Sequence, residues 1–260
     1  MPRRESTKAH WQAFWTQDVD VDDVYSNDGR IVTEIERVTP LDGLRVLEVG
    51  AGSGRDALDC DAAGAWVVTV DYTRESLRIV REHARRRGRR VHLVCADATR
   101  LPFRDGSLDV VFHQGLMEHF RDPRPLLAEN RRVLRTGGHL LVDVPQRWHP
   151  YTAGKHILIW FGRWFAGWET EYSIGELERL VRQAGFAVRH AYGNWMVPGL
   201  WYRVLRRVLL GTGLRLPMYP RYGALGDRLA AWRARWRRRR WAFYTFLVIG
   251  VIGEKHRDEP

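Results

Sequence analysis

An apolar run, Val46-Leu47-Glu48-Val49, meets three alternating glycines, Gly50, Gly52 and Gly54, and Asp71 stands seventeen residues beyond the last of them. Val67, Val68 and Val70 lead into that acid. The pattern predicts a strand, a tight turn, a helix and a second strand ending in a carboxylate. Such a unit binds an adenosine-containing cofactor: the glycines let backbone N–H groups come close, and the acid accepts both ribose hydroxyls. The spacing argues against a dinucleotide, whose Gly-x-Gly-x-x-Gly fingerprint would need glycine where Arg55 stands. Glu48, two residues before Gly50, would repel a diphosphate and can accept a hydrogen bond from a cationic or amino-bearing ligand.

Further blocks follow in order. Cys95-Ala96-Asp97-Ala98 closes a third strand read over Val91 to Val94, and Leu101 to Val111 leads into a fourth. Glu118-His119-Phe120-Arg121-Asp122-Pro123 comes next, and Arg132 to Gly138 runs into a fifth strand over Leu140 to Val144. With the glycine motif, these blocks make residues 44–145 resemble the class I S-adenosylmethionine-dependent methyltransferases, in the large subgroup that includes the quinone-biosynthesis enzymes. The resemblance implies S-adenosyl-L-methionine as cofactor, held by Glu48, Gly50, Gly52, Gly54, Asp71, Tyr72, Asp97, Ala98 and Gln114. It implies the reaction type without fixing the acceptor.

Methyl transfer from a sulfonium is an in-line displacement, so a protein contributes alignment, desolvation and, for a hydroxyl acceptor, a base. Candidate bases after strands four and five are His113, Glu118, His119, His149 and His156, with Glu118 and His119 the catalytic pair expected from the family's Glu-His motif. A structural role is the competing reading for each. No histidine spacing suggests a metal site. Two other classes compete. A pI near 10 and a mixed arginine/tryptophan segment are compatible with an RNA methyltransferase. Against it, the end of strand four reads His113-Gln114-Gly115-Leu116, without the Asn/Asp-Pro-Pro-aromatic signature of amino-directed base methylation. A non-catalytic cofactor-binding protein is the third reading.

The elements that must position these residues follow from patterning. Length (260 residues) and an apolar content of 45% suit one large α/β domain. Alternation of strands and helices from Leu44 to Val144 predicts a Rossmann-like sheet: seven strands, mostly parallel, helices on both faces, an antiparallel last strand, and helical insertions after strands five and six. Within a single domain over 1–260 we read a helical leader at 1–40, a cofactor-binding core at 44–145, an aromatic insertion at 146–172, a basic amphipathic insertion at 194–240 and a last strand at 241–253. The leader holds His10, Trp11, Phe14 and Trp15 on one helix and a second helix from Arg30 to Val38; the resemblance implies that it folds over the cofactor, with Tyr25 in the connecting turn either reaching the cofactor or packing the turn. Ser173 and Glu176 make a capping box for a helix ended by Gly185, Phe186 to Tyr192 reads as strand six, and Ala242 to Ile252 as strand seven. Cys60 and Cys95 read as small buried residues in a reducing compartment.

The insertions individualise the chain. Positions 157, 160, 161, 164 and 168 form a helical stripe of Ile, Trp, Phe, Trp and Trp, expected to line an acceptor pocket against His113 to Phe120. Twelve arginines and one acid, Asp227, between Trp195 and Arg240 account for a segment charge of +11, the whole net charge of the chain. Two amphipathic helices are readable there, after Pro198 and from Leu225 to Trp236. Arginines opposite leucine and tryptophan suit an anionic membrane interface over 198–240, or a lid with a solvated basic face. A small-molecule or lipid-linked apolar acceptor fits that setting. The first twenty residues lack an apolar signal core, and the longest nearly apolar run, Trp241 to Gly253, is shorter than the about 20 residues of a membrane span. The expected location is the cytoplasm, peripheral on the inner face of the membrane.

Overall fold

Continuous burial along the central strands dictates the sheet. The computed structural model describes residues 7–16, 29–162, 164, 168–195, 199–217, 223–237 and 239–256. Its strands are β1 (Arg45–Val49), β2 (Trp66–Asp71), β3 (Val91–Cys95), β4 (Leu108–Gln114), β5 (Leu134–Pro145), β6 (Phe186–Asn194) and β7 (Val248–Lys255), in the order β3-β2-β1-β4-β5-β7-β6. Val46, Val110, Phe112 and Leu141 point to one face, and Leu47, Val49, Val111, Leu140 and Val142 to the other. Both faces are covered, which is why these strands read as continuous apolar runs.

Helix α1 spans Lys8–Thr16, α2 Arg30–Ile35, α3 Arg55–Ala62, α4 Arg74–Arg87, α5 Arg124–Val133 and α6 Pro150–Trp160; α7 is Ile174–Gln183, α8 Leu200–Leu210 and α9 Gly223–Trp236. Ile31, Ile35, Ala57 and Cys60 bring α2 and α3 onto the first face. Leu126, Leu127, Leu177 and Val181 bring α5 and α7 onto the second. Ser173 caps α7 through the predicted reciprocal box with Glu176.

β1 to β5 pair in parallel, and β7 runs antiparallel to both β5 and β6. β6 is therefore parallel to β5, so the connections after both strands leave from the same end of the sheet. That end also carries the glycine turn after β1 and Gln114 at the end of β4. Strand order reverses between β1 and β4, which opens the crevice where ligands bind in sheets of this kind.

Several boundaries differ from the sequence reading. The last strand begins at Val248 rather than near 241, because Arg240–Tyr244 is a 3-10 turn. Ala242 and Phe246 there fill the core as a corner instead of alternating in a strand. The aromatic stripe over 157–168 is broken: α6 stops at Trp160, where Trp160 and Phe161 are 78% and 66% exposed. The leader's second helix ends at Ile35, and Tyr25 lies outside the described residues. Cys60 is buried as expected, but Cys95 is exposed, because β3 is an edge strand with an open face.

Candidate active site

All three motif glycines have left-handed backbone, with φ of 76°, 52° and 70° at Gly50, Gly52 and Gly54. Gly54 is under the tightest constraint, since a Cβ there would lie 2.5 Å from Val80 Cγ1 on α4. The turn is tied down by the Gly50 and Ala51 N–H groups, which donate to the Val70 carbonyl at 2.8 and 3.1 Å. Sequence pattern, turn and neighbouring strand thus form one unit.

Asp71 ends β2 beside this turn. Its Oδ1 accepts from the Thr73 N–H at 2.8 Å and the Thr73 hydroxyl at 2.7 Å. The Ser76 hydroxyl lies 3.2 Å from Asp71 Oδ2 and 2.8 Å from the Gly52 carbonyl, joining acid and glycine loop through α4. Burial raises the Asp71 carboxyl above its usual range, against the hydrogen bonds from Thr73 and Ser76. Tyr72 is half-buried with Lys8 Nζ 6.0 Å from its ring centroid. Asp97 is exposed after β3 and folds an Asx turn onto Thr99, with Ala98 half-buried between them.

Glu48 is buried, and its Oε2 accepts from the Thr69 hydroxyl at 2.7 Å. Burial, with Asp56 nearby, raises its carboxyl well above the ordinary range, and burial lifts Asp56 to about 7. Gln114 is held by its side chain. With the amide oriented to satisfy its neighbours, it donates to Asp56 Oδ2 at 2.9 Å and accepts from Arg30 Nη2 at 2.5 Å. Arg30 in turn pairs with Asp143 Oδ2 at 3.2 Å, which also accepts from the Tyr192 hydroxyl at 2.9 Å. Glu48, Asp56, Asp71 and Asp143 place buried carboxyl oxygens around the turn. That acceptor set fits the hydroxyl and amino groups of a nucleoside and disfavours a diphosphate.

Leader helix α1 lies across the same surface. The Trp15 ring would sit 3.6 Å from a Cβ at Gly52, and Trp11 meets His119 edge-on at 5.0 Å between centroids. His119 Nδ1 lies 3.4 Å from the Trp168 carbonyl oxygen, and burial lowers the ring's pKa. Glu118, beside it on the 3-10 turn Met117–His119, is buried and its Oε2 has no hydrogen-bond partner. Burial, then Glu169, raises its carboxyl well above the ordinary range.

The remaining candidate bases are accounted for by structure. His113 is buried in β4 with both ring nitrogens unpartnered and is pushed down to about 3 by burial, so it stays neutral in the core. His149 caps α6 by accepting from the Tyr151 N–H at 3.1 Å, and His156 Nε2 pairs with Glu171 Oε2 at 2.9 Å. Ile157, Trp160 and Phe161, expected in an acceptor pocket, are exposed instead, as is Trp148 in the same insertion. Trp164 and Trp168 are half-buried: Trp164 Nε1 donates to Glu169 at 2.8 Å, and Arg121 packs 4.9 Å from the Trp168 ring centroid. Among the described residues no group of three metal-ligating side chains occurs.

Arg30, Lys155 and Glu169 were missed by sequence reading. Lys155 carried one available signal, being one of only three lysines in an arginine-rich chain. Arg30 carried none, since its partner Asp143 is far away in sequence.

Comparison with known proteins agrees with this geometry. Residues 47–142 match the family model described as a methyltransferase domain. The chain is 25% identical over 161 residues to a ubiquinone biosynthesis O-methyltransferase of Parvibaculum lavamentivorans, covering 60% of this chain and 64% of that protein. It is 36% identical over 111 residues to a demethylmenaquinone methyltransferase of Clavibacter sepedonicus, covering 43% and 45%. The chain thus spans less than two thirds of the length of these two relatives. Among solved structures, a chain from a complex of a Haloferax volcanii methyltransferase activator with a methyltransferase superposes with TM-score 0.67 at 18% identity, covering 98% of this chain and all of that one. The [4+2]-cyclase SpnF superposes with TM-score 0.60 at 22% identity, covering 88% and 81%. These likenesses establish the Rossmann-like methyltransferase fold.

Proposed function

We propose that this chain, whose residues 47–142 carry a class I methyltransferase domain, is an S-adenosyl-L-methionine-dependent methyltransferase acting on a quinone-type or other lipid-linked apolar acceptor. The observation that carries the reading is the left-handed glycine turn joined through Ser76 to the buried Asp71 at the tips of adjacent parallel strands. Because the same fold also serves the cyclase SpnF, the architecture alone does not fix the chemistry. The carboxyl oxygens around the turn add acceptors for the hydroxyl and amino groups of a nucleoside.

When bound, the cofactor supplies an electrophilic methyl group on a sulfonium. Gly50, Gly52 and Gly54 offer backbone close to it, and Asp71 the carboxylate for ribose hydroxyls. Tyr72, Asp97 and Ala98 flank the adenine side, and Glu48 and Gln114 shape the floor through Thr69, Asp56 and Arg30. The leader helix excludes water from this surface through Trp11 and Trp15. We read 1–260 as one domain in which Glu118 and His119 border the acceptor.

The acceptor class rests on the relatives and on the insertions. Trp201 is 84% exposed and Leu205, Val208, Leu229 and Trp232 are also exposed, so the apolar faces of α8 and α9 are not spent on covering a pocket. This supports docking of 198–240 on an anionic membrane from the cytoplasmic side over the lid and nucleic-acid readings.

Calorimetry tests the cofactor. S-adenosyl-L-methionine should bind, and Asp71→Ala should weaken it by about 1–3 kcal/mol, the scale of hydrogen bonds to a charged group. Tight NAD binding with no S-adenosyl-L-methionine binding would sink the reading.

A further inference from the structure

Between residues 74 and 90 eight arginines stand against Glu75 and Glu82, a second concentration of positive charge far along the chain from the 195–240 segment. Part of it is engaged within the fold: Arg86 pairs with Glu82 at 3.0 Å, Arg87 with Asp59 at 3.4 Å, and Arg89 lies 3.9 Å from Asp61. Arg81 and Arg85 of α4 and Arg90 before β3 are exposed and make no ion pair among the described residues. These three rim a surface groove of about 430 Å³ between α4 and β3.

The groove runs beside a strand with an open side. β3 is the last strand of the sheet and pairs with β2 alone among the described residues. Just past its end the Ala96 N–H donates to the Asp71 carbonyl at 3.1 Å. Alternation back along the strand therefore turns the peptide groups of Val94 and His92 to β2, and those of Leu93 and Val91 to the open side. The side chains alternate as well. Val91 and Leu93 pack against Leu77 and Val80 of α4 and floor the groove with Ala84. His92 points to the opposite face, its ring centroid 4.7 Å from that of Trp66, which is 48% exposed.

Unused N–H and C=O groups along a sheet edge are a template for another extended chain. Arginines there repel a second copy of the same strand and attract an acidic one. A chain laid along β3 turns every second side chain to the α4 face, where the three arginines stand, and the intervening ones to His92 and Trp66. We propose that the open edge of β3 and its arginine groove bind an extended acidic segment of a partner protein, in which Asp or Glu alternates with apolar residues. Charge complementarity sets the acidic positions, and the half-apolar opposite face sets the others. Donors and acceptors alternate along the edge, which favours a peptide over a nucleic-acid strand, whose phosphates accept hydrogen bonds and donate none. The site lies outside the glycine turn and Asp71, so the proposal stands apart from the methyltransferase reading.

The test uses the full chain and a fluorescein-labelled peptide alternating Glu and Val, capped at both ends. Fluorescence anisotropy should show saturable binding. A peptide of the same composition with Glu and Val in separate blocks should bind about tenfold more weakly, because it cannot match charge and strand pairing together. Arg81→Glu with Arg85→Glu should weaken the alternating peptide about tenfold or more, the scale of two surface ion pairs lost and reversed. If that variant does not fold, Arg90→Glu, with a loss of a few-fold, carries the test. Hydrogen exchange followed by NMR should slow at the Leu93 and Val91 amides when the peptide binds, and stay unchanged at Val94, which already faces β2.

An alternating peptide that does not bind overturns the proposal and leaves the arginines as guards of the edge. Undiminished binding in the charge-reversed variant overturns it by moving the peptide to another basic surface, such as 198–240. Equal binding of the blocked peptide, or binding without slowed exchange at Leu93, overturns it in favour of charge attraction alone. Polyuridylate that displaces the peptide and binds more tightly, with a steep salt dependence, makes the groove a nucleic-acid site and overturns it too.

Discussion

Arg30 shows how one side chain binds separate parts of this site together. From the leader helix α2 its guanidinium reaches Asp143 on β5 and Gln114 at the end of β4, and Gln114 passes the contact to Asp56 in the first turn of α3. Asp143 is buried, and burial raises its carboxyl pKa despite Arg30 and Tyr192. Removing the cation leaves a buried charge uncompensated, so Arg30→Met should destabilise the fold by about 3–5 kcal/mol at neutral pH. An acid whose folded-state pKa lies above its unfolded value binds more protons when folded, so stability is regained as pH falls through the raised pKa. The deficit of R30M should therefore shrink between pH 7 and pH 4 as Asp143 takes up a proton. Urea denaturation of both proteins at the two pH values measures it. An equal deficit at both would mean that Arg30 acts through packing and not charge.

At the scale of elements, local signals were legible and long-range ones were not. The glycine turn, the ordered strands and the Ser173/Glu176 box could be read because each depends on residues close in sequence. The box forms with the Ser173 N–H donating to Glu176 Oε2 at 2.8 Å, and Arg147 holds the other oxygen at 2.7 Å. Ser173→Ala should cost about 1 kcal/mol through the lost cap on α7, read as a lower urea midpoint with unchanged slope. No change would assign the whole cap to Glu176 and Arg147. What could not be read was contact between distant segments. The stripe at 157–168 had helical spacing, but the helix ends at Trp160, which stands exposed, while Lys155 on the opposite side is buried against Glu169 and Glu171 and Trp164 bonds the same Glu169. Similarly, the apolar run from Ala242 carried no sign that Phe246 would fill a corner beside Gly193 before pairing began. The acceptor side of the site is made by such contacts, and the turn-and-acid side by local ones.

Across the whole molecule, charge and exposed apolar surface coincide in the second insertion. The segment from Trp195 to Arg240 holds the chain's entire net charge of +11, and Trp201, Val208, Leu229 and Trp232 in it stand exposed. Among the described residues, Arg237 ties back to Glu34 and the Gly193 carbonyl, and Arg206 donates to the Leu216 carbonyl. Among the described residues no helix is long and apolar enough to cross a membrane. Attachment would be interfacial, with each arginine near an anionic surface contributing about 1 kcal/mol before screening. Because α6 and the second insertion leave from the same end of the sheet, such docking brings the candidate site towards the bilayer that would hold an apolar acceptor. Co-sedimentation with phosphatidylglycerol vesicles should capture the protein at low salt. Added salt should weaken capture without abolishing it, because the Trp and Leu area inserted at the acyl boundary is not screened. Trp201→Ala with Trp232→Ala should make the remaining binding fully salt-sensitive. Failure to bind vesicles, with RNA binding of steep salt dependence, would make the basic insertion a nucleic-acid clamp instead.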